Sequence, residues 1–168
     1  MGFREIEATQ MTGNVFEEIG NGWMLVSAEK NDGKINTMTA SWGGMGVLWG
    51  KDVFFCFVRP ARYTHEFTEE SDRISLSFFS DAYKEALKVC GSKSGRDCDK
   101  IRLAGLTAFS DENGVGFLEA DRIIYGRKIY AGRIDPENFV SDEIKKWYND
   151  DYHTVYVCEI EKIVEKEQ

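Results

Sequence analysis

Asn36 to Gly46 read N-T-M-T-A-S-W-G-G-M-G, and the fold is decided by this stretch. Polar and apolar residues alternate over its first half, as they do in a half-buried β-strand, and three glycines follow. Because glycine has no side chain, it leaves backbone N–H groups uncovered where a ligand approaches. We therefore expect a strand that runs into a glycine-rich turn beside a binding site. The alternative is an edge strand of a barrel whose threonines serve only β-propensity.

Length and charge narrow the class of protein. The 168 residues suit a single domain, residues 1–168, with a sizeable core. The formal net charge is −8, and the acidic residues are spread along the chain, which disfavours nucleic acid and anionic membranes as partners. No apolar run approaches the roughly 20 residues that span a bilayer, and the start has no signal-peptide pattern. We expect a cytoplasmic protein whose partners are small molecules or proteins.

The cysteine and histidine positions do not indicate a metal site. Cysteines at positions 56, 90, 98 and 158 and only two histidines lack the spacing of metal ligands, so we expect no metal. Cys56 and Cys158 stand in apolar runs and are expected to be buried. Cys90 and Cys98 flank a polar loop and are expected to be exposed.

Strands are predicted on either side of the opening stretch. Residues 23–29 predict a mostly apolar strand. Asp32-Gly33, which follows this strand, has the composition of a tight hairpin turn, so we expect the strand to pair antiparallel with the next one. Residues 53–58 are all apolar and include three phenylalanines, which predicts a central strand buried on both faces.

An anion-binding helix is predicted after the central strand. Pro60 is favoured at a first helical position, so we expect the helix to begin there and to end by Ser71. Arg59, Arg62 and Thr64 lie at its N-terminus, where free N–H groups and the helix dipole favour phosphate or carboxylate. The alternative is that both arginines are solvated at the end of the strand.

The second half of the chain predicts a small antiparallel barrel. We expect a strand at residues 74–79 with one face in water, and Gly91 at the end of the next helix. Lys93, Arg96 and Lys100 follow in a loop that either meets an anion or is solvated. The remaining elements are strands at residues 106–109, 116–125, 127–134 and 152–163, a helical stretch at 135–147 and a charged tail at 165–168. A total of about eight strands and a few short helices predicts a closed or split β-barrel.

Four short motifs occur in the order and spacing of a known family. They are N-T-M-T-A-S-W at residues 36–42, R-P-A-R-Y-T at 59–64, S-G-R-D-C-D-K at 94–100 and Y-H-T-V-Y at 152–156. On these motifs the chain resembles the flavin reductase-like, FMN-binding split-barrel family, and within it the flavoredoxins. The resemblance extends over residues 20–163, nearly the whole chain.

The resemblance implies a homodimer of mainly β split barrels with a few short α-helices, and FMN bound noncovalently near the dimer interface. The first motif would lie along the flavin ring and ribityl chain, and the second would bind the phosphate, with Lys93 or Arg96 closing over it. The cofactor-binding residues implied are Asn36, Met38, Thr39, Ala40, Ser41, Trp42, Arg59, Arg62, Tyr63 and Thr64. Trp42 would stack on the ring, and the alternative is a core indole.

His153 is the candidate catalytic residue. It matches the histidine of the G-D-H motif in related reductases, although that motif reads D-Y-H here, at residues 151–153. The resemblance implies that a neutral His153 orients a nicotinamide or passes a proton. The alternative is a histidine with a purely structural hydrogen bond.

The resemblance implies an FMN-binding oxidoreductase or electron-transfer protein of the flavoredoxin type. It would take electrons from NAD(P)H or from a redox protein and pass them to free flavin, iron or another carrier, and its acidic charge would suit a basic protein partner. The alternatives are a barrel that binds FMN or haem without turnover and an enzyme similar to pyridoxamine-phosphate oxidase. The substrate-binding arginine and histidine of the latter have no evident counterpart in this sequence.

Overall fold

The chain folds around one eight-stranded antiparallel sheet. The structure is a computed structural model that describes residues 2–167, so Met1 and Gln168, the two ends of the predicted domain, lie outside the described residues. Its strands are β1 (Phe3–Ile6), β2 (Met24–Glu29), β3 (Ile35–Ala40), β4 (Gly43–Leu48), β5 (Lys51–Val58), β6 (Arg73–Phe78), β7 (Ala108–Asp111), β8 (Gly114–Phe117), β9 (Arg122–Arg133) and β10 (Thr154–Lys166). Strands β7 and β8 form a separate two-stranded ribbon.

Short helices connect the strands. They are α1 (Val15–Glu17), α2 (Tyr63–Glu70), α3 (Lys84–Ser92) and α4 (Lys100–Leu103), with 3-10 segments at Ala8–Gln10, Asp81–Tyr83, Pro136–Asn138 and Asp142–Trp147 and a π-helical turn at Glu18–Gly22. Within residues 2–167, no helix is long and apolar enough to cross a membrane.

The order of the strands makes the sheet a split barrel. It runs β3-β2-β6-β9-β10-β5-β4, and β1 pairs with the far end of β10. The outermost strands, β3 and β4, are consecutive in the chain and are joined only by Ser41 and Trp42. The sheet must therefore curl until these two strands meet at one end. Strand β3 pairs only with β2, and strand β4 pairs only with β5. The predicted mainly β split barrel with short helices is confirmed.

Two layers of apolar side chains stabilise the sheet. One fills the barrel and includes Met24, Phe54 and Tyr156. The other includes Leu87 and Phe117 and lies between the sheet, α3 and the β7–β8 ribbon. Because both layers remove apolar surface from water, both contribute to the stability of the fold.

The second layer overturns the predicted wet face of β6. Ser75 and Ser77 are both buried, and the hydroxyl of Ser75 donates a hydrogen bond of 2.6 Å to the carbonyl oxygen of Val115. Because β8 covers this side of the sheet, the polar positions of the alternating pattern point into protein instead of water. The alternation of polar and apolar residues predicted strand β6 correctly, but it did not predict that the β7–β8 ribbon packs against this face of the strand.

Glycines predicted to mark turns lie within strands. The predicted turn at residues 43–46 is wrong, because these residues belong to β4 and pair with β5. The predicted break at Gly126 is wrong as well, because β9 continues through it, and the break lies at residues 118–121. A side chain at Gly126 would press on the ring of Phe54 and lie 2.9 Å from Cβ of Cys158. Close packing, and not a turn, requires this glycine.

Helix α2 begins later than predicted. Pro60 occupies the corner of a turn that is closed by a hydrogen bond of 3.0 Å from the N–H of Arg62 to the carbonyl oxygen of Arg59. The helix starts at Tyr63, with Arg62 in the N-cap position. The first turn of the helix therefore lies beside Arg62 instead of Pro60.

Two further helix predictions are wrong in their boundaries. Helix α3 continues through Gly91 to Ser92, and Gly91 instead gives room to Thr39, whose Cβ would lie 3.2 Å from a side chain added there. Residues 135–147 do not form one helix, because two separate 3-10 segments occupy this part of the chain.

The last strand begins at Thr154 instead of residue 152 and ends later than the predicted residue 163. It continues to Lys166 because β1 lies alongside it, with Phe3 opposite Lys166. The predicted charged tail is therefore strand as far as Lys166, and Gln168 lies outside the described residues. The hairpin of β2 and β3 is confirmed, and β5 is an inner strand that pairs with both β4 and β10. The predicted burial of β5 on both faces is wrong for one face, because Phe55 and Phe57 are only half-buried.

The cysteines follow the packing of the sheet. Cys56 and Cys158 are buried as predicted. Cys90 is also buried, so the prediction of an exposed thiol is wrong there, because this side chain belongs to the layer between α3 and the sheet. Cys98 is half-buried, and all four thiols are free.

Candidate functional site

A pocket of about 160 Å³ opens where the split of the barrel meets the start of β10. Its walls are Met38, Thr39, Ala40, Ser41, Trp42, Phe57, Arg59, Arg62 and His153, and we call it the aromatic pocket. All of these residues except Phe57 are candidates from the sequence. The structure thus brings residues from three distant motifs together at one end of the barrel.

Strand pairing explains why these residues meet. Val58, the last residue of β5, lies opposite Thr154, the first residue of β10. Arg59 follows Val58 and His153 precedes Thr154, so antiparallel pairing brings Arg59 and His153 to the same end of the sheet. Trp42, in the link from β3 to β4, lies at this end too, with its ring centre 5.3 Å from that of His153.

His153 is buried and neutral. It is 6% exposed, and its Nδ1 lies 2.8 Å from the hydroxyl of Tyr148. Burial is the main cause that lowers the pKa of His153 to about 4, and the positive charge of Arg59 is the second. The negative charge of Asp151 raises this pKa, but its effect is smaller. The imidazole therefore carries no charge at physiological pH.

Arg59 ties residues 147–151 to the end of β5. Its Nη1 donates to Oδ2 of Asp151 at 2.8 Å, and its Nη2 donates to the carbonyl oxygen of Trp147 at 2.7 Å. The hydrogen bond from Arg59 holds the pKa of Asp151 below its usual value. The guanidinium also lies 5.1 Å from the ring centre of Tyr148. These contacts fix Trp147 and Tyr148 beside the aromatic pocket.

Trp42 is open to solvent on one side. It is 41% exposed, so the core-indole alternative is wrong. Its ring meets that of Trp147 edge to face, with 5.5 Å between the ring centres. The two indoles form an apolar rim next to His153.

A second pocket, of about 200 Å³, adjoins the first at Arg62. Its walls are Ala61, Arg62, Tyr63, Gly91, Ser92, Lys93, Ser94 and Lys100, and we call it the cationic pocket. It lies between the start of α2 and the end of α3. Because Arg62 belongs to the walls of both pockets, the two pockets are neighbours.

The cationic pocket holds positive charge without a carboxylate to balance it. Nη2 of Arg62 is buried and has no hydrogen-bond partner within residues 2–167. Lys100 is 3% exposed, and its Nζ donates to the carbonyl oxygens of Cys90 and Lys93, at 3.0 and 3.1 Å. In the described part of the chain, neither Arg62 nor Lys100 forms an ion pair.

The pKa values of the two cations reflect this imbalance. Burial, and after it the positive charge of Arg62, lower the pKa of Lys100 to about 8. Burial also lowers the pKa of Arg62. A buried charge is costly unless it is paired, so an anion between these groups would raise both pKa values and satisfy the free donor.

Three predicted residues, Asn36, Thr64 and Arg96, lie outside the walls of both pockets. Nδ2 of Asn36 donates to Oγ1 of Thr64 at 2.9 Å, and both side chains are buried. This hydrogen bond joins β3 to the first turn of α2. The structure therefore places the pair where it fixes the position of the helix relative to the strand.

Lys93 and Arg96 differ in what they contact. Lys93 is exposed and lines the cationic pocket. Nη2 of Arg96 lies 2.6 Å from Oε1 of Glu66, and its guanidinium lies 4.8 Å from the ring centre of Tyr63. Lys93 is thus open to an anion, whereas Arg96 is engaged with a carboxylate.

Sequence reasoning missed Phe57, Trp147 and Tyr148 at the site. In β5, Phe57 lies between the buried residues Cys56 and Val58, and successive side chains of a strand point to opposite faces. The side chain of Phe57 therefore points away from the barrel core, and this alternation could have indicated that it faces the site. Trp147 and Tyr148 lie four and three residues before the first residue of the D-Y-H motif. Their aromatic character so near a candidate histidine also pointed to the site.

Comparison with known families places the chain in one of them. Residues 16–168 match the flavin reductase like domain, and the chain belongs to this family. A search of curated protein sequences gives no match.

Solved structures with the same fold include flavin-binding proteins and flavoredoxins. The FMN-binding domain of a flavin reductase-like enzyme from Shewanella baltica shares 16% sequence identity, with a TM-score of 0.69 over 98% of this chain and 77% of that chain. Flavoredoxin of Desulfovibrio vulgaris shares 24% identity, with a TM-score of 0.68 over 86% of this chain and 69% of that chain. Flavoredoxin from Methanosarcina acetivorans shares 22% identity, with a TM-score of 0.69 over 97% and 77%. At these identities the similarity shows the common fold.

We predict that His153 makes the folded state sensitive to acid. Its pKa falls from the ordinary value of 6.5 to about 4 on folding, so the unfolded chain binds this proton first and stability declines as the pH falls between these values. The loss should be complete near pH 4 and reach at most about 3 kcal/mol. Urea unfolding of the wild type and of His153→Gln at a series of pH values measures it.

The difference between the two proteins should be constant above about pH 7, which serves as an internal control. If the stabilities of wild type and His153→Gln fall in parallel down to about pH 4, the lowered pKa of His153 is refuted.

Proposed function

We propose that this chain binds FMN noncovalently and works as an oxidoreductase or electron-transfer protein of the flavoredoxin type. The observation that carries the proposal is the joining of an aromatic and a cationic pocket at Arg62. FMN has matching parts, since a flat ring system lies at one end and a phosphate at the other. Membership of the flavin reductase-like family supports the same assignment.

The cationic pocket suits the phosphate of FMN. A phosphate there would meet Nη2 of Arg62, which has no partner in the described residues, and the ammonium groups of Lys93 and Lys100. The first turn of α2 reaches this wall through Tyr63, and a helix N-terminus favours an anion. Each hydrogen bond to a charged group contributes about 1.5–3 kcal/mol.

The aromatic pocket suits the ring system. Strand β3 pairs with β2 on one side only, so its other edge presents backbone N–H and C=O groups near Thr39 and Ser41 to polar atoms of a ring. Trp42 and Phe57 supply aromatic surface against which a flat ring packs. The pocket thus combines apolar walls with a polar backbone edge.

A bound flavin would supply the electron and hydride chemistry, and the chain holds and surrounds it. His153 is neutral, so it contributes one hydrogen bond without adding charge. Trp42 and Trp147 meet edge to face beside His153 and would shield a bound ring from water on that side. Arg59, paired with Asp151, keeps this rim in place.

We also propose the electron donor, the acceptor and the compartment. NAD(P)H or a reduced protein donates the electrons, and free flavin, iron or another carrier accepts them. The net charge of −8 favours docking with a basic redox protein. The four free thiols suit the reducing cytoplasm.

Two copies of the chain are proposed to pair through the edge at β4. Val47 is 74% exposed and Trp49, in the turn after the strand, is 62% exposed. An exposed apolar edge strand is a ready interface for a second chain. Light scattering should give twice the chain mass of 19.2 kDa, and the mass of a single chain at every concentration would refute the dimer.

Replacing Arg62 by Met should weaken the binding of FMN about 10- to 100-fold, because a charge-assisted hydrogen bond to the phosphate is lost. Riboflavin lacks the phosphate, so Arg62→Met should weaken its binding much less than that of FMN. Titration followed by flavin fluorescence measures both affinities.

Arg102→Met is the matched control, because Arg102 is an exposed arginine on α4 outside both pockets. It should leave both affinities unchanged. If Arg62→Met weakens riboflavin as much as FMN, or weakens neither, the phosphate does not lie in the cationic pocket.

The protein mixed with FMN and freed of excess ligand should retain absorbance bands near roughly 375 and 450 nm. Under anaerobic conditions, NADH or NADPH should bleach them, which would identify the donor. Bands that persist would favour a protein donor or the binding of FMN without turnover. A protein that retains no FMN would refute the proposed function.

A further inference from the structure

The hydroxyl of Tyr148 has one protein partner within the described residues, which is Nδ1 of His153, 2.8 Å away. Either the hydroxyl donates to Nδ1, or an Nδ1–H donates to the hydroxyl. In the second arrangement, the hydroxyl proton would have no protein acceptor within residues 2–167. Burial raises the pKa of Tyr148, so the hydroxyl keeps its proton. The arrangement that gives the hydroxyl proton an acceptor within the protein is the one in which the hydroxyl donates to Nδ1.

This hydrogen bond decides which nitrogen of His153 carries the proton. A neutral imidazole has one N–H and one acceptor nitrogen. In the arrangement in which Nδ1 accepts from Tyr148, the proton lies on Nε2. Nε2 makes no hydrogen bond to the described part of the chain, and His153 lines the aromatic pocket. An N–H donor is thus left for the molecule that occupies this pocket.

Tyr148 is itself held by its neighbours. The ring of Phe139 stacks on it with 6.0 Å between the ring centres, and that of Tyr152 lies 4.9 Å away. The guanidinium of Arg59 lies 5.1 Å from the ring centre and also bonds to the carbonyl oxygen of the preceding residue, Trp147. A side chain fixed in this way orients its hydrogen-bond partner in turn.

We propose that Tyr148 is a positioning residue that holds His153 as the Nε2–H tautomer, so that the imidazole donates a hydrogen bond to a carbonyl oxygen or ring nitrogen of the flavin in the aromatic pocket. The proposal rests on the proposed function for its ligand, whereas the tautomer is a property of the chain alone. His153 acts here as a donor and not as a base, because its acceptor nitrogen is engaged. A fixed donor stabilises negative charge that develops on the ring.

The ¹⁵N NMR spectrum of the ligand-free protein tests the tautomer. The chain has two histidines, so His65, whose Nε2 lies 2.9 Å from Oγ1 of Thr154, is the internal reference. In the wild type, the proton of His153 should be on Nε2, and the Nδ1 resonance should show an accepted hydrogen bond. Tyr148→Phe should remove that signature at His153 and leave His65 unchanged. Tyr152→Phe, the matched control, should change neither.

Two results would overturn the proposal. One is a proton on Nδ1 of His153 in the wild type, which decides the question even if Tyr148→Phe does not fold. The other is an unchanged Nδ1 resonance of His153 in folded Tyr148→Phe.

A double-mutant cycle tests the effect on the bound flavin. In protein loaded with FMN, Tyr148→Phe and His153→Phe should each make the flavin reduction potential more negative, measured against a reference dye. The combined variant should match His153→Phe alone, because Tyr148 acts through His153. Additive effects, or no effect of Tyr148→Phe, would overturn the proposal. Failure to bind FMN would refute the proposed function, and the NMR result would still decide the role of Tyr148.

Discussion

Two residues, Ser41 and Trp42, connect the outermost strands of the sheet, and the site depends on this short link. Because β3 and β4 cannot separate at this end, the sheet curls into a barrel, and the free edge of β3 comes to lie near the end of β5. The aromatic pocket is the gap that remains between them. A longer link would allow the outer strands to move apart, as they do in an open twisted sheet.

The barrel carries a site that is electrostatically incomplete. Lys100 is buried and Arg62 is half-buried in a pocket that has no carboxylate in its walls, although the chain as a whole is acidic. Unpaired buried charges lower the stability of the ligand-free protein, and an anion that pairs with them stabilises the folded state. The contrast between an acidic surface and a cationic pocket favours a small anion and disfavours a large polyanion.

Much of the fold and the site could be predicted because the relevant signals are local. Strand alternation and hairpin composition depend on neighbouring residues, and they located the hairpin of β2 and β3 and the central strand β5. The motifs then supplied all of the aromatic pocket except Phe57. Glycine was the least informative residue, because Gly43 and Gly126 are required by the packing of strands and not by turns.

The sequence by itself determined the class of fold, the strands that border the site and the residue types that face a ligand. The tertiary structure alone decided how those residues are paired. Arg59 bonds to Asp151 across 92 residues of chain, and Ser75 bonds to the backbone of Val115 across 40. Such partners meet only after the barrel has closed and the second layer has packed on it. Local periodicity records which face of a strand is apolar, but it carries no information about what covers that face.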